Sequence, residues 1–171
     1  MSLSPEERRR LLAGEILTRR EPVEGSVPEL VVTALFDRPP EAVWRVLDRA
    51  EDYATVFPAV KESRVLARAG ESLETRLVIG MPFPLRDLVE HSSAQHAVGD
   101  GRWTRSWRSR ARLFERNEGS WTLTRFEDDP QRTLAVYRIH LVPSIPMPQR
   151  LLTFLTRTST RQLIEAVRRH S

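Results

Sequence analysis

Apolar and polar residues alternate along most of this chain, and its elements are marked by where the period changes. Residues 4–20 follow a helical period in which Leu11, Leu12, Ile16 and Leu17 form one apolar stripe. Ser4 is placed to cap that helix, Pro5 takes its first position, and Glu6 and Glu7 sit at its positive end. The stretch from Glu21 to Ser26 breaks the pattern and predicts a linker. Leu30 to Phe36 is a nearly continuous apolar run, which predicts a strand buried on much of both faces. Asp37 then stands where a cap belongs, ahead of a helix with Pro39 and Pro40 in its first turn and Val43, Trp44 and Leu47 on its inner side. A second short helix, around Glu51 to Phe57, stops at Pro58.

From there the period is two. It predicts strands over 60–68, 71–80, 85–98, 102–112, 119–127 and 132–142. Ala69-Gly70 and Gly99-Asp100-Gly101 supply tight hairpin turns, and Asp128 to Gln131 a wider one. After the proline-rich stretch Pro143 to Pro148 comes the longest helix, about 149–169. The order is strand, two short helices, six strands, long helix. That is an α+β arrangement with a curved seven-stranded antiparallel sheet wrapped around the C-terminal helix. The chain divides into an N-terminal helix and linker, 1–27, and one ligand-binding domain, 28–171.

Three short stretches carry a resemblance. Met81-Pro82-Phe83-Pro84 is an elbow that proline holds extended, followed by Arg86-Asp87 at the head of the next strand. Tyr53…Phe57-Pro58…Glu62-Ser63-Arg64-Val65-Leu66 leads from helix to strand, and Ser144-Ile145-Pro146 precedes the last helix. In this order, over about residues 28–169, they resemble START domains, the lipid-binding members of the helix-grip superfamily. The helix-to-strand passage is also similar to that of coenzyme-Q-binding relatives. The resemblance implies a helix-grip fold with an internal apolar cavity. In START relatives the position six residues after the Arg of the Arg-Asp pair points into the cavity and is often charged. Here it is Ser92, so Glu90 or Arg105 would have to take its place.

Strand parity names the residues facing such a cavity. With Asp100-Gly101 central to the hairpin, Val98 pairs with Trp103, His96 with Arg105, and Ala94 with Trp107. Trp103 and Trp107 then share the inner face with Leu88, Glu90, Ser92 and Ala94, because two tryptophans on one face demand burial. Tyr137, Ile139 and Leu141 are inward on the last strand, and Thr75, Leu77 and Ile79 on strand 71–80. For strand 119–127 both Trp121/Leu123 and Thr122/Thr124/Phe126 remain open as the inner set. On the long helix Leu152, Leu155, Leu163 and Val167 share a side that Thr156 and Ser159 interrupt. Either the helix is partly exposed there or its small residues make room for a ligand. The ligand-binding set is completed by Phe83 on the elbow.

Composition narrows the chemistry. The chain has no cysteine, which excludes disulfides, thiolate catalysis and cysteine-bound zinc. His91 and His96 fall on opposite faces of one strand, and His140 and His170 have no partner at ligand spacing, so no metal site is expected. No nucleotide or nucleophile-elbow motif occurs, and no cofactor is expected. Net charge is +4, yet Lys61 is the only lysine among 27 basic residues. That arginine bias fits either a solvated surface or transient contact with an anionic membrane. The aromatics lie within strands in no nucleic-acid-binding pattern, so nucleic acid is not an expected partner. No apolar signal region opens the chain and no apolar run approaches a membrane span, so a cytoplasmic location is expected. The reading is a carrier of a lipid, sterol-like molecule, quinone or polyketide. The alternatives are a polyketide aromatase/cyclase-like enzyme using Glu90 and Arg105, and a coenzyme-Q-binding chaperone.

Overall fold

The computed structural model describes residues 2–83 and 85–171, apart from the side chains of Phe154, Leu155, Arg157 and Thr158. Its first helix, α1 (Pro5–Leu12), opens on a reciprocal cap: Glu7 N donates to Ser4 Oγ at 3.2 Å, and Ser4 N to Glu7 Oε2 at 2.9 Å. It is much shorter than the apolar stripe predicts. Gly14 turns the chain at φ +84°, and Leu17–Glu21 runs extended as β1, pairing antiparallel with β2 (Glu29–Phe36). Ile16 and Leu17 are therefore not helical, and the sheet has eight strands rather than seven.

The strands follow as β3 (Val60–Ala69), β4 (Ser72–Ile79), β5 (Leu88–Gly99), β6 (Arg102–Ala111), β7 (Phe114–Phe126) and β8 (Asp129–Pro143). All pairings are antiparallel, in the order β1-β2-β8-β7-β6-β5-β4-β3, so the curved sheet stays open between β1 and β3. Between β2 and β3 lie α2 (Pro40–Asp48), a 3₁₀ turn (Ala50–Asp52) and α3 (Tyr53–Val56). Pro39 occupies the N-cap of α2 with no side-chain cap, correcting the expectation for Asp37, which pairs with Arg132 at 3.2 Å.

The hairpin register is the one read from the turn: Val98 opposite Trp103, His96 opposite Arg105, Ala94 opposite Trp107. Next door, Leu123 lies opposite Trp103 and Trp121 opposite Arg105, which resolves β7. Trp121 and Leu123 belong to the main core, while Phe126 packs with Leu11 and Leu35 in a small cluster beside α1. β7 also begins at Phe114, well before the predicted start at residue 119, because only Arg112 and Leu113 separate it from β6.

Helix α4 (Gln149–His170) lies across the sheet. Ile164, Ala166 and Val167 are fully buried in the main core with Val43 and Leu47 of α2, whereas Ser159 is exposed. A third cluster gathers Leu88, Leu113 and Phe114 with Met81, Leu85 and Met147 at the loop end of the sheet. Among the described residues no helix is long and apolar enough to cross a membrane.

Candidate functional site

Packing is dense where α2 and the C-terminal part of α4 cover the sheet, and it fails under the middle of α4, beside α3. A cavity of about 280 Å³ remains there. Its walls include Leu77 and Ile79 from β4, Leu88, Glu90 and Ser92 from β5, Arg105 and Trp107 from β6, Tyr137, Ile139 and Leu141 from β8, and Ser159 and Leu163 from α4. All of these were placed inward by parity or helical period. Four expected residues are elsewhere. Thr75, beside Ser92, is buried in the sheet short of the cavity, and its hydroxyl has no hydrogen-bond partner among the described residues. Trp103 lies one inward step past Arg105, in the solid core that includes Val43 and Leu47 of α2. Phe83 points outward from the proline elbow and is 96% exposed. Leu152 borders a separate space of about 90 Å³. The side chain of Leu155 lies outside the described residues.

Sequence reasoning missed Tyr53 and Phe57 of α3, Ser109, Phe114 and Asn117, whereas Thr156, one of the two small residues that interrupt the apolar side of α4, lines the cavity. Asn117 reads as loop because a polar residue there interrupts the apolar period, so the predicted strand starts only at Gly119. Asn117 is an inward position of β7 that borders the cavity rather than the core. Gly119 sits opposite Trp107, whose ring lies against it. Beyond it the ring stacks on Tyr137, centroids 5.7 Å apart, and Tyr137 in turn meets Trp121 at 4.9 Å. These three rings make the apolar middle of the cavity.

Two polar stations interrupt that lining. At the loop end, Glu90 Oε1 accepts a hydrogen bond from Asn117 Nδ2 at 2.6 Å. Burial pushes the Glu90 carboxyl up to about 7, only partly opposed by the Asn117 bond. Burial, and then the Glu90 charge, push the Tyr137 hydroxyl up as well. At the other end, Arg105 is 7% exposed and lies over the rings of Tyr53 and Trp107, 5.5 and 5.7 Å from their centroids. Its Nε donates to His96 Nε2 at 3.1 Å, and His96 Nδ1 lies 2.8 Å from Asp48 Oδ1. A guanidinium can only donate, so Nε2 must accept and the imidazole proton sits on Nδ1, donated to Asp48. Burial first, and Arg105 next, depress the His96 pKa and favour this neutral form.

Glu90 and Arg105 share a face, as expected, but they do not form a pair. Glu90 is opposite Ala111 and Arg105 opposite His96. Six residues of strand, about 20 Å along its path, separate the two rows. Among the described residues no group of histidines and carboxylates could hold a metal ion.

A family model described as polyketide cyclase/dehydrase and lipid transport matches residues 36–168. No curated protein matches the chain by sequence. Solved structures share the fold. A STAR-related lipid transfer protein fragment from Xanthomonas axonopodis is 22% identical with a TM-score of 0.77, covering 91% of this chain and 92% of its own. The ZhuI aromatase/cyclase from a Streptomyces species is 18% identical with a TM-score of 0.70, over 81% and 90%. Human STARD10 is 13% identical with a TM-score of 0.74, over 98% and 80%.

Proposed function

This chain belongs to the polyketide cyclase/dehydrase and lipid transport family, as a START-like helix-grip domain, and from that premise we propose that it carries a lipid or other hydrophobic small molecule in its central cavity. The observation that carries this reading is the cavity itself. A space of about 280 Å³ walled mostly by Leu77, Ile79, Leu88, Trp107, Tyr137, Ile139 and Leu163 suits a ligand with an apolar body. Ser92 and Ser109, paired across β5 and β6, leave volume between the larger side chains.

Ser159 tests the wall formed by α4. Ser159→Trp is expected to project an indole into the ligand space and reduce binding of a fluorescent fatty acid at least tenfold. Thermal stability should stay within a few degrees of wild type, since the residue is exposed and borders empty volume. Undiminished binding by the folded variant would place the ligand elsewhere. Native mass spectrometry of the purified protein would identify what it carries.

A second reading rests on Glu90. A carboxyl with its pKa near 7, facing an apolar cavity, is suited to act as a general acid or base on a bound polyketide-like substrate. The wide spacing to Arg105 argues against those two residues acting together on one reacting atom. Binding without chemistry remains the primary reading.

The loop end is the proposed door and membrane contact. Met81 and Met147 pack on Leu88, Leu113 and Phe114, so both proline-stiffened loops meet there. Phe83 and Ile145 project from them, 96% and 49% exposed, with Arg86 and Arg150 exposed nearby in sequence. Each arginine near an anionic surface contributes about 1 kcal/mol. Co-sedimentation with liposomes should rise with anionic lipid, fall with salt, and drop at least fivefold in the Phe83→Ser/Ile145→Ser double variant. Indifference to all three would leave this end as a plug.

A further inference from the structure

Arg105 is a buried cation without an anion. Among the described residues it forms no ion pair, and its only hydrogen bond runs from Nε to His96. Both terminal nitrogens are therefore without hydrogen-bond partners among the described residues, on a side chain that lines the cavity. A guanidinium stays charged at any accessible pH, so it cannot relieve its burial by losing a proton. The rings of Tyr53 and Trp107 offset part of the cost through their faces, but ring contacts do not satisfy N–H donors.

The surroundings hold this cation in place and do not neutralise it. His96 is neutral and contributes only a lone pair. Asp48 stands behind His96 and is itself engaged by Arg68, through Oδ1 at 3.3 Å and its backbone carbonyl at 3.0 Å. The chain Asp48–His96–Arg105 thus fixes the Nε edge of the guanidinium. The Nη1–Nη2 edge, a fork of parallel donors matched to a carboxylate, is the part left unpartnered. The opposite polar station cannot serve it, since Glu90 is held by Asn117 six residues further along β5.

We propose that Arg105 anchors the carboxylate of an amphiphilic acid, with His96 and Asp48 as positioning residues, so that the carried ligand is an apolar monocarboxylate rather than a neutral lipid. The acid lies with its charged end against Arg105 and its apolar body along Trp107, Trp121 and Tyr137. This rests on the carrier reading above and adds the chemical class of the cargo.

The test is isothermal titration of the delipidated full chain, at neutral pH, with decanoate and with decan-1-ol. The two probes share an apolar body and differ in the anchored group. Wild type should bind the acid roughly thirtyfold more tightly, the effect of a charge-assisted pair on an otherwise equal contact. In Arg105→Met the acid should weaken by about that factor while the alcohol stays within threefold. Arg105→Lys should restore part of the preference, and His96→Leu should reduce the acid-to-alcohol ratio without changing alcohol affinity, which a purely structural role would not do. Acid and alcohol bound equally well by wild type would overturn the anchor and leave the carrier reading standing. Neither probe binding would remove the carrier reading and the anchor with it. Should Arg105→Met fail to fold, the wild-type ratio and Arg105→Lys decide alone.

Discussion

Glu90→Gln is expected to stabilise the protein by about 3 kcal/mol above pH 7, with the gain shrinking to nothing as the pH falls below 4.5. The sign follows from where the carboxyl titrates. Burial raises its pKa in the folded protein from the ordinary 4.5 to about 7. Below the lower value the side chain is protonated in both folded and unfolded chains and contributes no pH dependence. Between the two, the unfolded chain releases the proton and the folded one keeps it, so stability declines as pH rises. Above the upper value the deficit is constant. Glutamine keeps the carbonyl oxygen that Asn117 Nδ2 bonds and has no proton to release, so it escapes the decline. Urea unfolding of both proteins across this range would read the difference directly, and parallel pH profiles would sink the assignment of a buried, neutral Glu90. In a carrier, Glu90→Gln keeps most of its affinity for the ligand; in a cyclase it loses turnover by orders of magnitude while still binding.

The inward face of the sheet was legible because strand parity depends only on turn position. Asp100-Gly101 fixes the β5–β6 hairpin, and one fixed pair places Leu88, Glu90, Ser92, Arg105 and Trp107 together. Tyr137, Ile139 and Leu141 followed from alternation alone. The failures have separate causes. Asn117 looks like loop because a residue bordering empty space is not held to the apolar rule that identifies strands. Leu17 looked helical because Leu11, Leu12, Ile16 and Leu17 satisfy a helical period even though Gly14 interrupts it with a left-handed turn. Phe83 reads as a ligand contact, since an aromatic residue is expected to be buried; in the structure it is exposed at the loop tip. Asp48 could not be found at all. It reaches His96 from the end of α2 across 48 residues of sequence, and only the packing of that helix on the sheet brings them together.

Gly119→Ala is expected to cost about 3 kcal/mol or more, although the substitution adds one methyl group and asks for no unusual backbone conformation. A Cβ at this position would collide with the carbonyl oxygen of Arg138 and stand 2.6 and 2.9 Å from two atoms of the Trp107 ring. The ring could swing away, at the expense of its stack on Tyr137. The carbonyl cannot. Arg138 is paired with Val31 and Ser120 within the sheet, and its guanidinium is tied to Glu21 at 2.7 Å and Glu29 at 2.6 Å. Relief therefore requires β7 and β8 to separate locally, which forfeits ladder hydrogen bonds as well as packing. The neighbouring Ser120→Ala, on the opposite face of the same strand, should change stability by no more than about 0.5 kcal/mol. Chemical denaturation gives both numbers, and near-ultraviolet circular dichroism reports whether the Trp107–Tyr137 stack has moved. An unfolding midpoint for Gly119→Ala equal to that of wild type would mean that the close approach of Trp107 to β7, and with it the shape of the cavity's middle, is not as described.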